Sequence, residues 1–168
     1  MPLESITSSS NAAVKRLRAL NESKGRKSAG AFLVEGEVMI REALQSGLAP
    51  LEALSELESP LCALLSERGA LVRLCPRHVM ESVCDTKTPQ GVCCAFALPE
   101  NGSVPTDARR LLALDGVQDP GNMGTILRTA DAAGFEGAYL SPLCADVYSP
   151  KVQRAAMGSG FREPSVRE

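Results

Sequence analysis

The chain has 168 residues, which is enough for one ordinary domain or two small ones, and 44% of them are hydrophobic. Its net charge of -2 argues against a uniformly basic protein that coats nucleic acid. The absence of tryptophan predicts a mainly aliphatic core. No apolar run approaches the length of a membrane span and no signal peptide is recognisable, so we expect a cytoplasmic protein that does not contact membranes.

The first predicted element is a helix that carries Val14, Leu17 and Leu20 on one apolar face, with an N-cap in the segment 8–11. A basic block surrounds this helix, and only Glu22 opposes it. Its members are Lys15, Arg16, Arg18, Lys24, Arg26 and Lys27. The block is either a local RNA-binding face or a solvated helix face, and residues 25–30 are predicted to form a basic, flexible loop.

Strands and helices then alternate as far as residue 98. Short apolar runs predict strands at 32–34, 51–54, 71–74 and 91–98. Helices are predicted between them, through 39–44, through 61–65 after a proline, and through 79–83 after another proline. This order indicates an α/β layer architecture.

A segment rich in proline, glycine and polar residues, 99–105, is the best linker candidate in the chain. We therefore predict a first domain at 1–98 and a second at 106–168. The second domain is predicted to contain two strands, at 111–114 and 137–140, and two helices, at about 125–133 and from about residue 150.

The connection between the first strand and the first helix of the second domain is a loop rich in Gly, Pro and Asn that includes Asn122. Such a loop lets backbone N–H groups approach an anionic or polar ligand at the positive end of a helix. Arg128, about one turn into the helix, adds a permanent cation. The alternative is an ordinary turn, with Asn122 as a turn or cap residue and Arg128 paired with Asp131 or Glu136.

The six cysteines include no C-x-x-C pair, and His78 is the only histidine. A zinc site needs several convergent ligands, so we expect no metal. Most of the cysteines have apolar neighbours in the sequence. We expect them to be small, reduced core residues.

Residues 119–134 read D-P-x-N-x-G-x-I-x-R-T-A-x-A-x-G and resemble the first signature of the SpoU (TrmH-type) RNA 2′-O-ribose methyltransferases. Residues 10–36 and 82–91 resemble the RNA-substrate-binding domain that precedes the catalytic domain in these enzymes. Residues 145–159 resemble the segment that follows the second strand of the methyltransferase fold. The similarity therefore extends over most of the chain.

The resemblance implies an α/β protein: a ribosomal-protein-like α/β substrate-binding domain followed by the first part of an α/β-knot (SPOUT) methyltransferase domain. The second and third signatures of the family form the knot that holds S-adenosylmethionine, and neither occurs in the sequence. We therefore expect the cofactor site in a C-terminal part that this truncated chain lacks. We also expect 1–98 to fold independently and 106–168 to fold poorly in isolation.

By the same resemblance, Asn122 and Arg128 are the catalytic residues that face the target ribose and its phosphate. Arg128 is either the proton acceptor or, since a guanidinium stays protonated, a clamp for the phosphate that stabilises developing alkoxide charge. Asn122 either orients the hydroxyl or holds Arg128. Met157 and Gly158 are expected to permit close helix packing near this site.

Contacts with RNA phosphates are expected from basic residues of both domains. The candidates are Lys15, Arg18, Lys24, Arg26, Lys151 and Arg154. For Lys151 and Arg154 the alternative is a solvated helix face.

The predicted function is transfer of a methyl group from S-adenosylmethionine to a ribose 2′-hydroxyl of RNA by a homodimer. Ribosomal RNA is favoured over transfer RNA because the first domain resembles a ribosomal-protein fold. The alternative is a non-catalytic RNA-binding protein or an inactive fragment of such an enzyme. A third hypothesis is a generic nucleotide-binding α/β protein that uses the glycine-rich loop.

Overall fold

The computed structural model describes residues 3–99 and 107–162 in full and residues 165–167 as backbone. The chain divides into two compact units, 1–98 and 99–168. Most of the predicted linker at 99–105 lies outside the described residues.

The first unit is built on five strands in the order β1-β4-β3-β5-β2. The antiparallel strand β5 pairs with β2 and β3, whereas the pairs β1–β4 and β3–β4 are parallel. Its elements in chain order are β1 Glu4–Ser5, α1 Ala12–Ala19, α2 Ser23–Ala29, β2 Ala31–Glu35, α3 Glu37–Gln45, β3 Pro50–Ser55, α4 Pro60–Glu67, β4 Leu71–Leu74, α5 Arg77–Val83 and β5 Val92–Ala97.

Helices cover both faces of this sheet. On one face α1 and α5 bury Leu17 and Met80 against Leu54 of β3. The alternate residues of β2 and β5 point to the other face, where Phe32 and Phe96 lie with ring centroids 6.2 Å apart. The predicted α/β layer architecture of this unit is confirmed, and the predicted strand at 71–74 matches β4 at both ends.

The segment between α1 and β2 differs from the prediction. The predicted loop at 25–30 is wrong, because residues Ser23–Ala29 form helix α2. Glycine usually weakens a helix, but at Gly25 a Cβ atom would overlap the Ala19 carbonyl oxygen and lie 2.6 Å from its carbon. The close approach of α1 therefore requires glycine here, and tertiary packing outweighs the low helix propensity.

The second unit has a parallel sheet in which the described strands follow the order β6-β7-β8. Its elements are β6 Leu112–Leu114, α6 Pro120–Ala132, β7 Ala138–Leu140, α7 Pro150–Ala156, α8 Ser159–Arg162 and β8 Ser165–Arg167. Met123 and Leu127 of α6 and Val152 of α7 form its core against β7. The sequence did not predict α8 or β8.

Helix α6 begins five residues earlier than predicted. Pro120 occupies its first turn, where a missing N–H has no cost, and the Asp119 side chain caps it by accepting the Asn122 N–H at 2.7 Å. The prediction that these residues form a glycine-rich loop before the helix is therefore wrong. Gly121, Asn122 and Gly124 belong to the helix itself.

Five of the six cysteines are buried and Cys84 is half-buried, which confirms the prediction that most of them are core residues. Burial raises the pKa of the Cys75 thiol to about 11. Among the described residues, no group of three or more histidine, cysteine, aspartate or glutamate side chains is placed to hold a metal ion. Each helix in the described ranges is too short or too polar to cross a membrane.

Candidate functional site

Asn122 and Arg128 both lie exposed on α6, but the helix does not bring them onto one face. A separation of six residues corresponds to about 9 Å along the axis and about 120° around it. The Asn122 N–H is used by the Asp119 cap, whereas its carboxamide has no hydrogen-bond partner among the described residues. The two side chains are therefore placed to contact different groups of a ligand.

The Arg128 guanidinium reaches across to the end of α7, where its Nη1 lies 3.1 Å from the Met157 Sδ. Neither carboxylate that was considered as its partner takes that role. Asp131 pairs with Arg162 at 2.6 Å, and Glu136 accepts backbone N–H groups of residues 109 and 110. No ion pair of Arg128 occurs in the part of the chain that the structure describes.

The partners of these two carboxylates also lower the pKa of each. Hydrogen bonding from Arg162 lowers the pKa of Asp131 below its usual range. Backbone N–H donors of Arg109 and Arg110 lower the pKa of Glu136. Both carboxylates are thus held in the ionised form by groups other than Arg128.

Close packing of α6 on α7 brings Arg128 and Met157 together. At Gly124 a Cβ atom would overlap the Ala155 Cβ and lie 2.7 Å from the Ala156 nitrogen. Only glycine allows this approach. The expectation that Met157 and Gly158 provide the close packing is wrong for Met157, which ends α7 and is 58% exposed.

Lys151 and Arg154 lie on α7 with exposed side chains, and their three-residue spacing places them on neighbouring positions of one helix face. Met157 follows at the same spacing. Helix α7, whose end contacts Arg128 through Met157, therefore presents two basic side chains to solvent.

The basic block of the first unit separates into residues with different surroundings. Lys15 and Lys24 are exposed. Arg18 is exposed but donates from Nε to the Ser82 carbonyl oxygen at 2.6 Å. Arg26 is only 3% exposed and donates to the carbonyl oxygens of residues 20 and 21, both at 2.8 Å.

Arg26 therefore serves the junction between α1 and α2, and its buried guanidinium is not accessible to an RNA phosphate. The sequence predicted that Arg26 contacts RNA phosphates, whereas the side chain is buried and its guanidinium caps the end of α1. Arg16, another member of the block, pairs with Glu52 of β3 at 3.0 Å. Lys27 is exposed and joins Lys15 and Lys24 as an accessible cation.

Sequence reasoning placed Met157 near this site but missed its contact with Arg128. Among the described residues it is the only non-glycine residue with a positive φ, at 50°. The available signal was its position immediately before Gly158, at the end of a helix where left-handed conformations are common. That signal does not identify Arg128 as its contact.

Two family descriptions match the chain. The MRM3-like substrate binding domain matches residues 11–94, and the SpoU rRNA Methylase family matches residues 109–168. The chain belongs to the SpoU rRNA methylase family. The predicted family membership is confirmed, and residues 119–134, which carried the prediction, lie within the matched SpoU range.

Related sequences include enzymes named as ribosomal RNA methyltransferases. The 23S rRNA (guanosine(2553)-2'-O)-methyltransferase RlmP of Bacillus subtilis is 37% identical over 98% of this chain and 65% of that protein. Human mitochondrial rRNA methyltransferase 3 is 35% identical over 84% of this chain and 36% of that protein. The chain thus spans less than two thirds of the length of these relatives.

A solved structure, the AdoMet-bound rRNA methyltransferase from Sinorhizobium meliloti, superposes with a TM-score of 0.87 at 32% identity. The similarity covers 98% of this chain and 64% of that one. The predicted fold class is confirmed: an N-terminal substrate-binding domain is followed by part of a SPOUT methyltransferase fold.

Proposed function

We propose that the full-length protein that contains this chain transfers a methyl group from S-adenosylmethionine to a ribose 2′-hydroxyl of ribosomal RNA. The observation that carries the proposal is the SpoU match over 109–168, which includes α6 with its exposed Asn122 and Arg128. Relatives named as rRNA methyltransferases match both units. Ribosomal RNA is therefore favoured over transfer RNA.

Arg128 acts in this proposal as a clamp for the substrate phosphate and as a stabiliser of charge on the ribose oxygen. A guanidinium stays protonated at ordinary pH, so it is poorly suited to accept the hydroxyl proton. Preorganised cations and hydrogen-bond donors that face developing negative charge lower the barrier of such a step. Its exposed position and the absence of a carboxylate partner within the described ranges leave its charge available.

Asn122 orients the ribose hydroxyl in this proposal. The alternative role, in which Asn122 holds Arg128, is disfavoured because the two residues lie about 9 Å apart along the helix and on different faces. Arg128 is held by Met157 instead. The free carboxamide of Asn122 offers both a donor and an acceptor to a hydroxyl group.

S-adenosylmethionine supplies the methyl group when it is bound, and the Sinorhizobium meliloti relative has AdoMet bound in its structure. The described residues of the second unit contain no buried side-chain nitrogen or oxygen that lacks a partner. We assign no residue of the described ranges to the cofactor.

RNA binding in the proposal uses exposed cations of both units. Lys15, Lys24 and Arg18 contribute from the first unit, and Lys151 and Arg154 from the second. Each phosphate contact releases counterions, so replacing one of these lysines by glutamine should weaken RNA binding and lower the slope of log affinity against log salt by roughly one. An unchanged slope would remove that residue from the interface.

The experiment that tests the proposed function compares Arg128→Ala with Arg68→Ala in the full-length protein. Arg68 is an exposed arginine of the first unit and serves as the matched control. We expect Arg128→Ala to lose roughly a hundredfold or more in single-turnover methyl transfer to ribosomal RNA, as losses of one transition-state donor do. Wild-type transfer by Arg128→Ala would overturn the proposed role of this site.

We further propose a homodimer in a reducing compartment such as the cytoplasm. The resemblance supports the dimer, and the six cysteines, none of which is in a disulfide, support the compartment. Light scattering of the full-length protein tests the first statement. For this chain alone, RNA binding without methyl transfer stays a prediction. The domain limits at 1–98, 99–105 and 106–168 also stay predictions.

A further inference from the structure

Met157 combines an unfavourable backbone conformation with an exposed apolar side chain. Its φ of 50° is one that residues with a Cβ rarely adopt, and the side chain is 58% exposed. Burial of the Met157 side chain therefore offsets little of the free-energy cost of its backbone conformation. Conformations of this kind persist where the surrounding structure fixes them, and they cluster at functional sites.

The contact that this conformation permits is with Arg128. The Met157 Sδ accepts a hydrogen bond from Arg128 Nη1 at 3.1 Å, and the guanidinium makes no other hydrogen bond to the described residues. A guanidinium has five N–H donors in a planar fork. One donor is thus used for orientation, and the remaining donors stay available to a ligand.

The chemistry of the thioether suits this task better than that of a carboxylate. A sulfur atom is a weak, uncharged acceptor, so it orients the guanidinium without neutralising its charge. A carboxylate would compete with a substrate phosphate. Asp131, only three residues from Arg128, is instead paired with Arg162.

The turn that carries Met157 is fixed to α6 on both sides. Before it, the backbone of Ala156 is packed against Gly124. After it, Arg162 of α8 forms its ion pair with Asp131 at 2.6 Å. The sulfur is therefore held at a defined place relative to the helix that carries Arg128.

We propose that Met157 is a positioning residue for Arg128, whose thioether holds the guanidinium so that its remaining donors face the substrate phosphate and ribose oxygen. This inference rests on the proposed function, because it presumes that Arg128 acts on the RNA. Met157 itself does not touch the reacting atoms in this account.

The test uses three variants of the full-length protein. Met157→Leu removes the acceptor and keeps an apolar side chain, whereas Met157→Gln keeps an acceptor at similar reach. Met157→Gly removes the acceptor but relieves the left-handed strain, so it should fold at least as stably as the wild type. Met39→Leu, the same exchange on α3 of the first unit, is the control.

Single-turnover methyl transfer and RNA affinity are measured for each variant. We expect Met157→Leu and Met157→Gly to lower the rate constant roughly tenfold, since small misplacements of a positioned group have such effects. We expect Met157→Gln to restore most of the rate. RNA affinity should change less than the rate constant, and Met39→Leu should resemble the wild type.

Combining Arg128→Lys with Met157→Leu in one protein distinguishes the proposed function of Arg128 from the positioning role of Met157. If Arg128→Lys alone loses activity and Met157→Leu adds nothing further, the coupling between the two residues is supported. If Arg128→Ala retains the wild-type rate, the proposed function of this site fails; Arg128→Lys keeps a cation that can bind a phosphate and tests only the need for the planar set of donors. If Arg128→Lys loses activity while both acceptor-free variants transfer at the wild-type rate, only the positioning role of Met157 is overturned.

Discussion

Replacement of Gly124 by alanine tests how closely α6 and α7 must pack. The added Cβ would overlap the Ala155 Cβ and lie 2.7 Å from the Ala156 nitrogen and 2.8 Å from the Val152 carbonyl oxygen. Two of these atoms belong to the α7 backbone and cannot rotate away. Ordinary separations of about 3.5–4.0 Å are restored only if one helix moves by about 1 Å.

The energetic consequence has two opposing parts. Overpacking of this kind typically costs about 1–3 kcal/mol. Alanine in a helix interior recovers about 1 kcal/mol relative to glycine. Gly160 on α8 is the matched control, because a Cβ there would meet no atom within 4 Å. The comparison of the two variants therefore leaves mainly the steric cost at Gly124.

The assay is urea unfolding of the full-length protein followed by circular dichroism. We expect the Gly124→Ala variant to be less stable than Gly160→Ala by about 1–3 kcal/mol in free energy of unfolding. Its methyl transfer should also fall, because a shift of α7 displaces Met157 from Arg128. Equal stability of the two variants would refute the close-packing argument.

Three further outcomes are expected. Asp119→Ala removes the acceptor for the Asn122 N–H and should lower the free energy of unfolding by about 1 kcal/mol. Asp119→Asn keeps an acceptor and should lower it less. Equal urea midpoints for Asp119→Ala and the wild type would contradict the cap. Hydrogen bonding from Arg162 lowers the pKa of Asp131 from its ordinary 3.8. The ion pair therefore stabilises the folded protein fully above about pH 3.8, and this stabilisation is lost as the pH falls through the lowered pKa. Arg162→Met should lose less stability than the wild type on acidification, and an equal loss would contradict the pair. Burial raises the pKa of Cys75 to about 11, so this thiol should be alkylated only after unfolding. Mass spectrometry of the peptide that contains Cys75 measures its labelling, and fast labelling of Cys75 in the folded protein would contradict its burial.

Local patterns predicted most regular elements because local chemistry determines them. The apolar run at 71–74 became β4, and the Asn11 side chain caps α1 by accepting the Ala13 N–H at 2.8 Å. Gly47, with a φ of 81°, follows α3 soon after the end of the helix that was predicted through 39–44. In each case the residues that form the feature are neighbours in the chain, so the local sequence is enough to predict it.

The error at α2 arose because contacts between two successive helices, rather than the pattern within either one, determine the structure there. Helix α2 depends on the approach of α1 to Gly25 and on the buried Arg26, and neither contact is visible in a local pattern that contains glycine and many cations. The early start of α6 could have been predicted from Asp119 and Pro120, which are a common N-cap and first-turn pair.

The candidate site was predicted in part. The motif identified Asn122 and Arg128, and both lie exposed on α6. Their separation around the helix follows from helix geometry once the start of α6 is known. The contact between Arg128 and Met157 joins positions far apart in the sequence, and it depends on the close crossing of α6 and α7 at Gly124. Spacing alone does not contain that information.

The most direct test of the central claim is to locate the methyl group that the full-length protein transfers from S-adenosylmethionine to ribosomal RNA. A methyl group on the ribose 2′-oxygen removes the nucleophile of alkaline cleavage, so the modified linkage resists hydrolysis. The account predicts one such resistant linkage, formed by the wild type and not by Arg128→Ala. A methyl group on a base, or transfer that does not depend on Arg128, would contradict it.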